Sequence, residues 1–185
     1  MKIGLISDTH GSLKAWESSM EIFKECELIL HAGDVLYHGP RNPLPVGYDP
    51  GELANSLNNF DKTIFIVKGN CDSEVDEMVL NFPLLSPYFY TNLGGLNILL
   101  IHGEGYSQDE LFELGKTYGT DMLIIGHTHI PVLRQKDNVF LVNPGSPSIP
   151  KADDKLPSIG IIDTEERTVQ IVSLDTGDLL EKIQY

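Results

Sequence analysis

The chain has 185 residues, room for one globular domain or at most two small ones at roughly 100–200 residues each. Thirteen basic side chains against 27 acidic ones give a formal charge of −14, which excludes the basic footprint of a general nucleic-acid binder and sets the chain against an anionic membrane surface. With 41% hydrophobic and 22% charged residues, the composition is that of a folded domain and not of a disordered one.

Lys2–Ser7 reads as a buried strand ending in the polar run Asp8-Thr9-His10-Gly11. Ser12 is placed to cap a helix whose Leu13, Trp16, Met20 and Phe23 share one face, the pattern of a core stripe. Leu28–Leu30 is a second strand, ended by Ala32-Gly33-Asp34. The proline- and glycine-rich segment Tyr37–Pro50 is an ordered loop. A helix over Gly51–Asn58 and a strand over Thr63–Val67 follow, with a polar turn at Gly69-Asn70-Cys71-Asp72. Residues 79–101 read as strands, clearest at Asn97–Ile101, which runs into His102. A helix over 107–118 leads to a strand over 121–125 and to Gly126-His127-Thr128-His129. Short strands at Pro131–Lys136, Asn138–Val142, Ile159–Asp163, Thr168–Ser173 and Leu179–Gln184 complete the chain, with a sharp turn at Asn143-Pro144-Gly145-Ser146. Beta-alpha units followed by hairpins predict an α/β fold with mixed sheets, as a single domain over residues 1–185.

Two cysteines, Cys26 and Cys71, are too few for a disulfide scaffold. Asp8 interrupts any leader at once, and the longest apolar runs, Ile98–Ile101 and Met122–Ile125, span four residues each. A soluble cytoplasmic protein is expected.

Five of the strands end in clusters that carry Asp, Asn or His: Asp8-x-His10, Gly33-Asp34, Gly69-Asn70, His102 and Gly126-His127-x-His129. Singly these are weak signals; their specificity lies in the ordered set. The carboxyl ends of strands in α/β sheets are where ligand sites assemble, and residues at i and i+2 of an extended segment face one way. Imidazole, carboxylate and amide oxygen together suit Mn, Fe, Zn or Ni. Seven such groups exceed the need of one ion and suit two ions about 3.5–4 Å apart.

The same motifs resemble those of the calcineurin-like metallophosphoesterases, over residues 4 to about 150. His38-Gly-Pro-Arg-Asn42, Gly69-Asn-Cys-Asp72 and Asn143-Pro-Gly-Ser146 are similar to the YfcE-type bacterial phosphodiesterases, a subgroup without a cap domain. The resemblance implies a four-layer α/β/β/α sandwich with two mixed sheets and a dinuclear centre of divalent ions, Mn²⁺ first among the candidates. It places Asp8, His10 and His129 on the first ion, Asn70, His102 and His127 on the second, and Asp34 between them as a bridge. The implied reaction is hydrolysis of a small or activated phosphodiester. A phosphomonoesterase or nucleotidase with the same centre is the alternative, and a non-catalytic scaffold of the same fold is disfavoured because all seven positions are filled. The acidic charge, with no added domain, argues against long nucleic acid as substrate, and a homo-oligomer is compatible with this class.

Around the ligand set the roles are less fixed. His31 precedes Asp34 by an odd offset and is expected to pack or to brace a ligand. Asp72 is read either as an orienter of a ligand histidine or as a helix cap. Arg41 is a candidate contact for a phosphate oxygen, and His38 for the proton donor, against the alternative of solvated loop charges. Many family members carry a histidine for leaving-group protonation where this chain has Cys71. The cysteine follows a ligand on what reads as an extended turn, so its side chain is expected to point away from the ions. A thiol of reference pKa about 8.5 relays protons less well than an imidazole of about 6.5, which favours substrates whose leaving group departs unprotonated, such as aryl diesters. Cys71→His should therefore raise turnover on poor leaving groups; a leaving-group profile unchanged by the substitution would refute this.

Overall fold

In the computed structural model, which describes residues 1–85 and 87–185, eleven strands and four α-helices follow one another along the chain. They are β1 (Lys2–Ile6), α1 (Leu13–Ile22), β2 (Leu28–His31), α2 (Pro50–Asn58), β3 (Thr63–Ile66), α3 (Glu74–Val79), β4 (Tyr88–Leu93) and β5 (Leu96–Ile101). Then come α4 (Gln108–Thr117), β6 (Met122–Ile124), β7 (Val132–Lys136), β8 (Val139–Asn143), β9 (Ser158–Asp163), β10 (Thr168–Ser173) and β11 (Leu179–Gln184). No helix among the described residues is long and apolar enough to cross a membrane.

The central strands are apolar on both faces because each face is covered. Ile3 and Leu5 of β1, with Leu28 and Leu30 of β2, meet Ile98, Leu100, Met122 and Ile124 of the other sheet. Ile6 and Ile29 turn the opposite way, onto Trp16, Phe23, Leu53 and Leu57 of the helical layer. Leu99, Ile101 and Leu123 meet Leu111 and Phe112 of α4 in the same manner. The result is the expected α/β/β/α order. One sheet runs β11-β10-β9-β1-β2-β3 and the other β4-β5-β6-β8-β7.

Strands β1, β2 and β3 are mutually parallel, as are β5 and β6, so their carboxyl ends gather at common sheet edges. Helix α1 starts where the sequence predicts, with Ser12 Oγ accepting the Ala15 N–H at 3.1 Å. The strands expected across 79–101 begin only at Tyr88. Upstream, α3 ends at Val79, and Leu80 and Leu84 are buried from irregular chain. Leu85 makes one bridge to Val67, and Pro83 and Pro87 lack the N–H that a longer ladder needs. Helix α3 carries exposed Val75 and Met78, which hides its periodicity, but Ser73 and Asp76 form a capping box at its start.

Candidate metal centre

The loop after β1 lies beside the loop after β2, with Asp8 N–H donating to Gly33 O at 2.9 Å, His10 N–H to Asp34 O at 3.0 Å and Gly11 N–H to Val35 O at 2.8 Å. Their side chains are aimed by an unusual backbone. Asp8 (φ 55°), His10 (47°), Asp34 (59°), His127 (67°) and His129 (59°) all adopt the left-handed conformation, which costs a non-glycine residue about 1–3 kcal/mol where it is strained. The other three such residues, Asp137, Lys155 and Arg167, lie in surface turns. The glycines before Asn70 and His127 answer a different need. A Cβ on Gly69 would overlap Asp34 Oδ1, and one on Gly126 would overlap Ser7 Oγ and stand 2.8 Å from Asp8 Oδ2.

Three imidazoles are oriented alike. Nδ1 of His10 lies 2.8 Å from Tyr37 O, that of His102 2.7 Å from Ala32 O and that of His129 2.6 Å from Ile149 O. A carbonyl oxygen only accepts, so each Nδ1 carries a hydrogen and each Nε2 faces inward, as a lone pair in the neutral rings of His10 and His129. His10 Nε2 and His129 Nε2 then face each other at 3.2 Å with no hydrogen available between them. Asp8 Oδ1, 3.4 Å from His129 Nε2 and 3.7 Å from His10 Nε2, is fully buried without a hydrogen-bond partner. Its other oxygen is satisfied by the Ser7 hydroxyl at 2.6 Å and the His127 N–H at 3.0 Å. Three acceptors converging in this way fit a divalent cation, and histidines anchored through Nδ1 are the usual arrangement around one.

Asp34 Oδ2 lies 3.7 Å from His10 Nε2 and 3.4 Å from His102 Nε2, between the two halves of the constellation. Asn70 Oδ1 is 3.1 Å from His102 Nε2. Burial pushes the pKa of His10 and His127 down and that of His129 to about 3, which keeps these rings neutral and free to ligate. Burial opposes charge on His102 too, yet Asp34 and Asp8 outweigh it and raise this group to about 9. Burial raises Asp8 to about 7, with Asp34 adding to the effect and His102 opposing it. Asp34 resists its own burial and stays below the ordinary carboxylate range through His102 and the Cys71 N–H.

Of the seven residues expected to share a centre, Asp8, His10, Asp34, Asn70, His102 and His129 are brought into mutual range. His127 stands at the rim, its half-buried ring edge-on to His102 at 5.2 Å. Cys71 departs from expectation. Its Sγ lies within 4.8 Å of ligand atoms of both His10 and Asp34. The alternation rule fails here because residues 69–72 form a closed turn, Asp72 N–H bonding Gly69 O, and not an extended run. Burial and the neighbouring Asp34 raise the thiol to about 12, so it keeps its proton and donates poorly. His38 is off the cleft, its ring edge-on to Tyr37 at 4.9 Å and Tyr48 at 5.2 Å, a poor position for a proton donor. Arg41 lines the cleft, a cavity of about 610 Å³ that Asp34, Asn70, Cys71, His127 and His129 also border.

Asp72 takes neither role expected of it. Its carboxylate accepts the N–H groups of Asp34 (2.7 Å), Val35 (2.7 Å) and Gly69 (2.8 Å), tying the second loop to the third, while Ser73 caps α3. His31 braces the loops in the same sense: Nδ1 accepts the Gly33 N–H at 3.1 Å, and Nε2–H donates to Thr9 Oγ1 at 3.1 Å. Sequence reasoning missed Lys151, the second cation on the cleft wall, whose N–H bonds His129 O at 3.1 Å. It also missed Ser146 and Ser148, whose hydroxyls each donate to Asp8 O at 2.8 Å. The sharp turn at Asn143–Ser146 was the available signal for both.

These features define a metal-binding phosphoesterase. The calcineurin-like phosphoesterase superfamily domain matches residues 1–167, and the chain belongs to that family. It is 38% identical over 185 residues to the phosphodiesterase YfcE of Escherichia coli (strain K12), covering 99% of this chain and 97% of that one. A solved structure of the E. coli phosphoesterase superposes with a TM-score of 0.86 at 36% identity, over 99% of this chain and 98% of the other. An archaeal phosphodiesterase superposes at 0.71 with 26% identity, over 94% and 99%. Vacuolar protein sorting 29 of Cryptosporidium parvum shares the fold, with a TM-score of 0.74 at 20% identity over 100% and 98%.

Removing the carboxylate at Asp72 strands three N–H groups, so Asp72→Ala should lower stability by about 2–4 kcal/mol and metal affinity roughly 10–100-fold, read by thermal denaturation and Mn²⁺ titration. Ion loading should also displace the proton of His102. With that group at about 9 and Asp8 at about 7, loading at pH 7 is expected to release roughly 1–1.5 protons per chain, and the release should shrink as pH rises past 9. Calorimetry in buffers of different ionisation heat measures it; heats independent of buffer at pH 7 would show that no proton held on His102 or Asp8 is displaced by the ion.

Proposed function

We propose that this chain is a metal-dependent phosphodiesterase acting on small or activated phosphodiesters, with two divalent ions, Mn²⁺ first among the candidates. The observation that carries the reading is the pair of hydrogen-free Nε2 atoms of His10 and His129 facing the unpartnered Asp8 Oδ1. Asp8, His10 and His129 would hold one ion and Asn70, His102 and His127 the other, with Asp34, whose Oδ2 lies between the two nitrogen sets, available to both. When bound there, divalent ions would supply Lewis acidity toward the phosphoryl oxygens and toward an attacking water.

The chain's own groups do the rest. Arg41 and Lys151, the cations of the cleft, bind the non-reacting phosphate oxygens. The Cys71 N–H fixes one oxygen of Asp34 at 2.7 Å, which leaves the other for the ions. Cys71 gives the leaving group little proton assistance, and His38 sits elsewhere, so leaving groups of low basicity are favoured. The open cleft and the −14 charge support a small substrate over a long polyanion, and the free thiols of Cys26 and Cys71 suit a reducing compartment such as the cytoplasm.

The test is hydrolysis of bis-p-nitrophenyl phosphate by chelator-treated protein before and after adding Mn²⁺, with p-nitrophenyl phosphate run beside it. Turnover of the diester that needs the ion and falls about 10²-fold or more in Asp34→Ala is expected. Faster cleavage of the monoester would reassign the chain as a phosphomonoesterase, and no ion-dependent turnover of either would leave a scaffold role. Arg41→Ala and Lys151→Ala should each raise KM several-fold more than they lower kcat.

A further inference from the structure

Beside the metal centre lies a second cavity, of about 320 Å³, that the proposed chemistry does not use. Three tyrosines from three different elements wall it: Tyr88 at the start of β4, Tyr106 in the loop after β5 and Tyr118 at the end of α4. They are 46%, 50% and 38% exposed, a high share for such large rings, and Tyr88 meets Tyr118 edge-on at 5.5 Å. Leu99 and Ile101 floor the cavity.

Two observations join it to the centre. His102, whose Nε2 faces Asp34 and Asn70, is also a wall of this cavity, and Tyr88 is paired across the sheet with Ile101, the residue just before it. The charges sort a ligand between the two spaces. Arg41 and Lys151 belong to the cleft, whereas the tyrosine cavity has no cation among the described residues and is lined by the carboxylate of Glu104, which repels a phosphate but not an uncharged ring.

We propose, resting on the phosphodiesterase reading, that this cavity receives a planar aromatic ring on the ester group that the substrate retains, stacked among Tyr88, Tyr106 and Tyr118. Tyrosine faces give such a ring a binding surface without a hydrogen-bond code.

Three diesters with one leaving group test it: bis-p-nitrophenyl phosphate, thymidine 5′-(p-nitrophenyl) phosphate and methyl p-nitrophenyl phosphate. For the Mn²⁺-loaded chain, KM for the better of the two aromatic esters should lie about tenfold below that of the methyl ester, and which of them is lower tells an aryl from a nucleobase ring. Tyr106→Ala should collapse this ratio toward one with kcat kept within about twofold, and Tyr106→Phe should preserve it. Equal KM values in the parent chain, or a ratio that survives in both Tyr106→Ala and Tyr88→Ala, would overturn the proposal. Should none of the diesters be cleaved, the phosphodiesterase reading fails by itself, and the cavity is read by titrating phenylphosphonate against methylphosphonate. Binding several-fold tighter for the phenyl compound and lost in Tyr106→Ala sustains the cavity; equal or absent binding rejects it.

Discussion

Two imidazole nitrogens without hydrogens, 3.2 Å apart and facing a buried carboxylate oxygen that has no partner, form an arrangement that repels itself. Much of the surrounding structure serves to hold it together. Nδ1 anchors from Tyr37, Ala32 and Ile149 fix the rings, left-handed backbone at five site residues turns the side chains inward, and Gly69 and Gly126 let neighbouring loops approach closely. The reward for this strain is binding free energy for a cation, because ligands already in place need little reorganisation. The two-sheet architecture is what makes this possible. Asp8, Asp34 and Asn70 follow strands of one sheet, while His102, His127 and His129 follow strands of the other. Residues up to 121 positions apart in sequence, such as Asp8 and His129, are thereby brought to one edge.

The overall charge and the local charge have opposite meanings. At −14 the surface disfavours polyanions, yet the site binds an anion. Of the expected ligands only Asp8 and Asp34 are acidic, so the two divalent ions proposed here would leave the centre net positive. The carboxylate that would disturb this, Asp72, is turned into a structural group by three backbone N–H donors. Arg41 and Lys151 add the positive charge that the neutral imidazoles lack.

Most of the fold and the ligand set was legible because both rest on local rules. Apolar strands alternating between two covered faces, Ser12 and Ser107 at helix starts and polar residues at strand ends are visible without coordinates. What escaped depends on tertiary closure. Leu80 and Leu84 are apolar and buried yet belong to no strand, so hydrophobicity alone misassigned them. Lys151 looks like a loop charge until the Asn143–Ser146 turn carries it to His129. His38 directly follows Tyr37, which touches the site through its carbonyl, but the loop turns the His38 ring onto Tyr48 instead. Proximity in sequence is a poor guide inside an irregular loop, where no period relates one side chain's direction to the next.

Cys71 shows how the same local geometry limits the chemistry. Asp34 must stay ionised to serve as a metal ligand, and the Cys71 N–H at 2.7 Å helps to keep it so. That contact brings the thiol beside the carboxylate it supports, and the negative charge there, with burial, makes the thiol a weaker acid. An imidazole at this position would escape the conflict, since a nearby carboxylate stabilises its protonated form and readies it to donate. With cysteine, the backbone contribution is kept and the acid is lost. The burden of leaving-group departure then passes to the substrate itself, and an aromatic alcohol, acidic enough to leave as its anion, is the kind of group such a site handles without help.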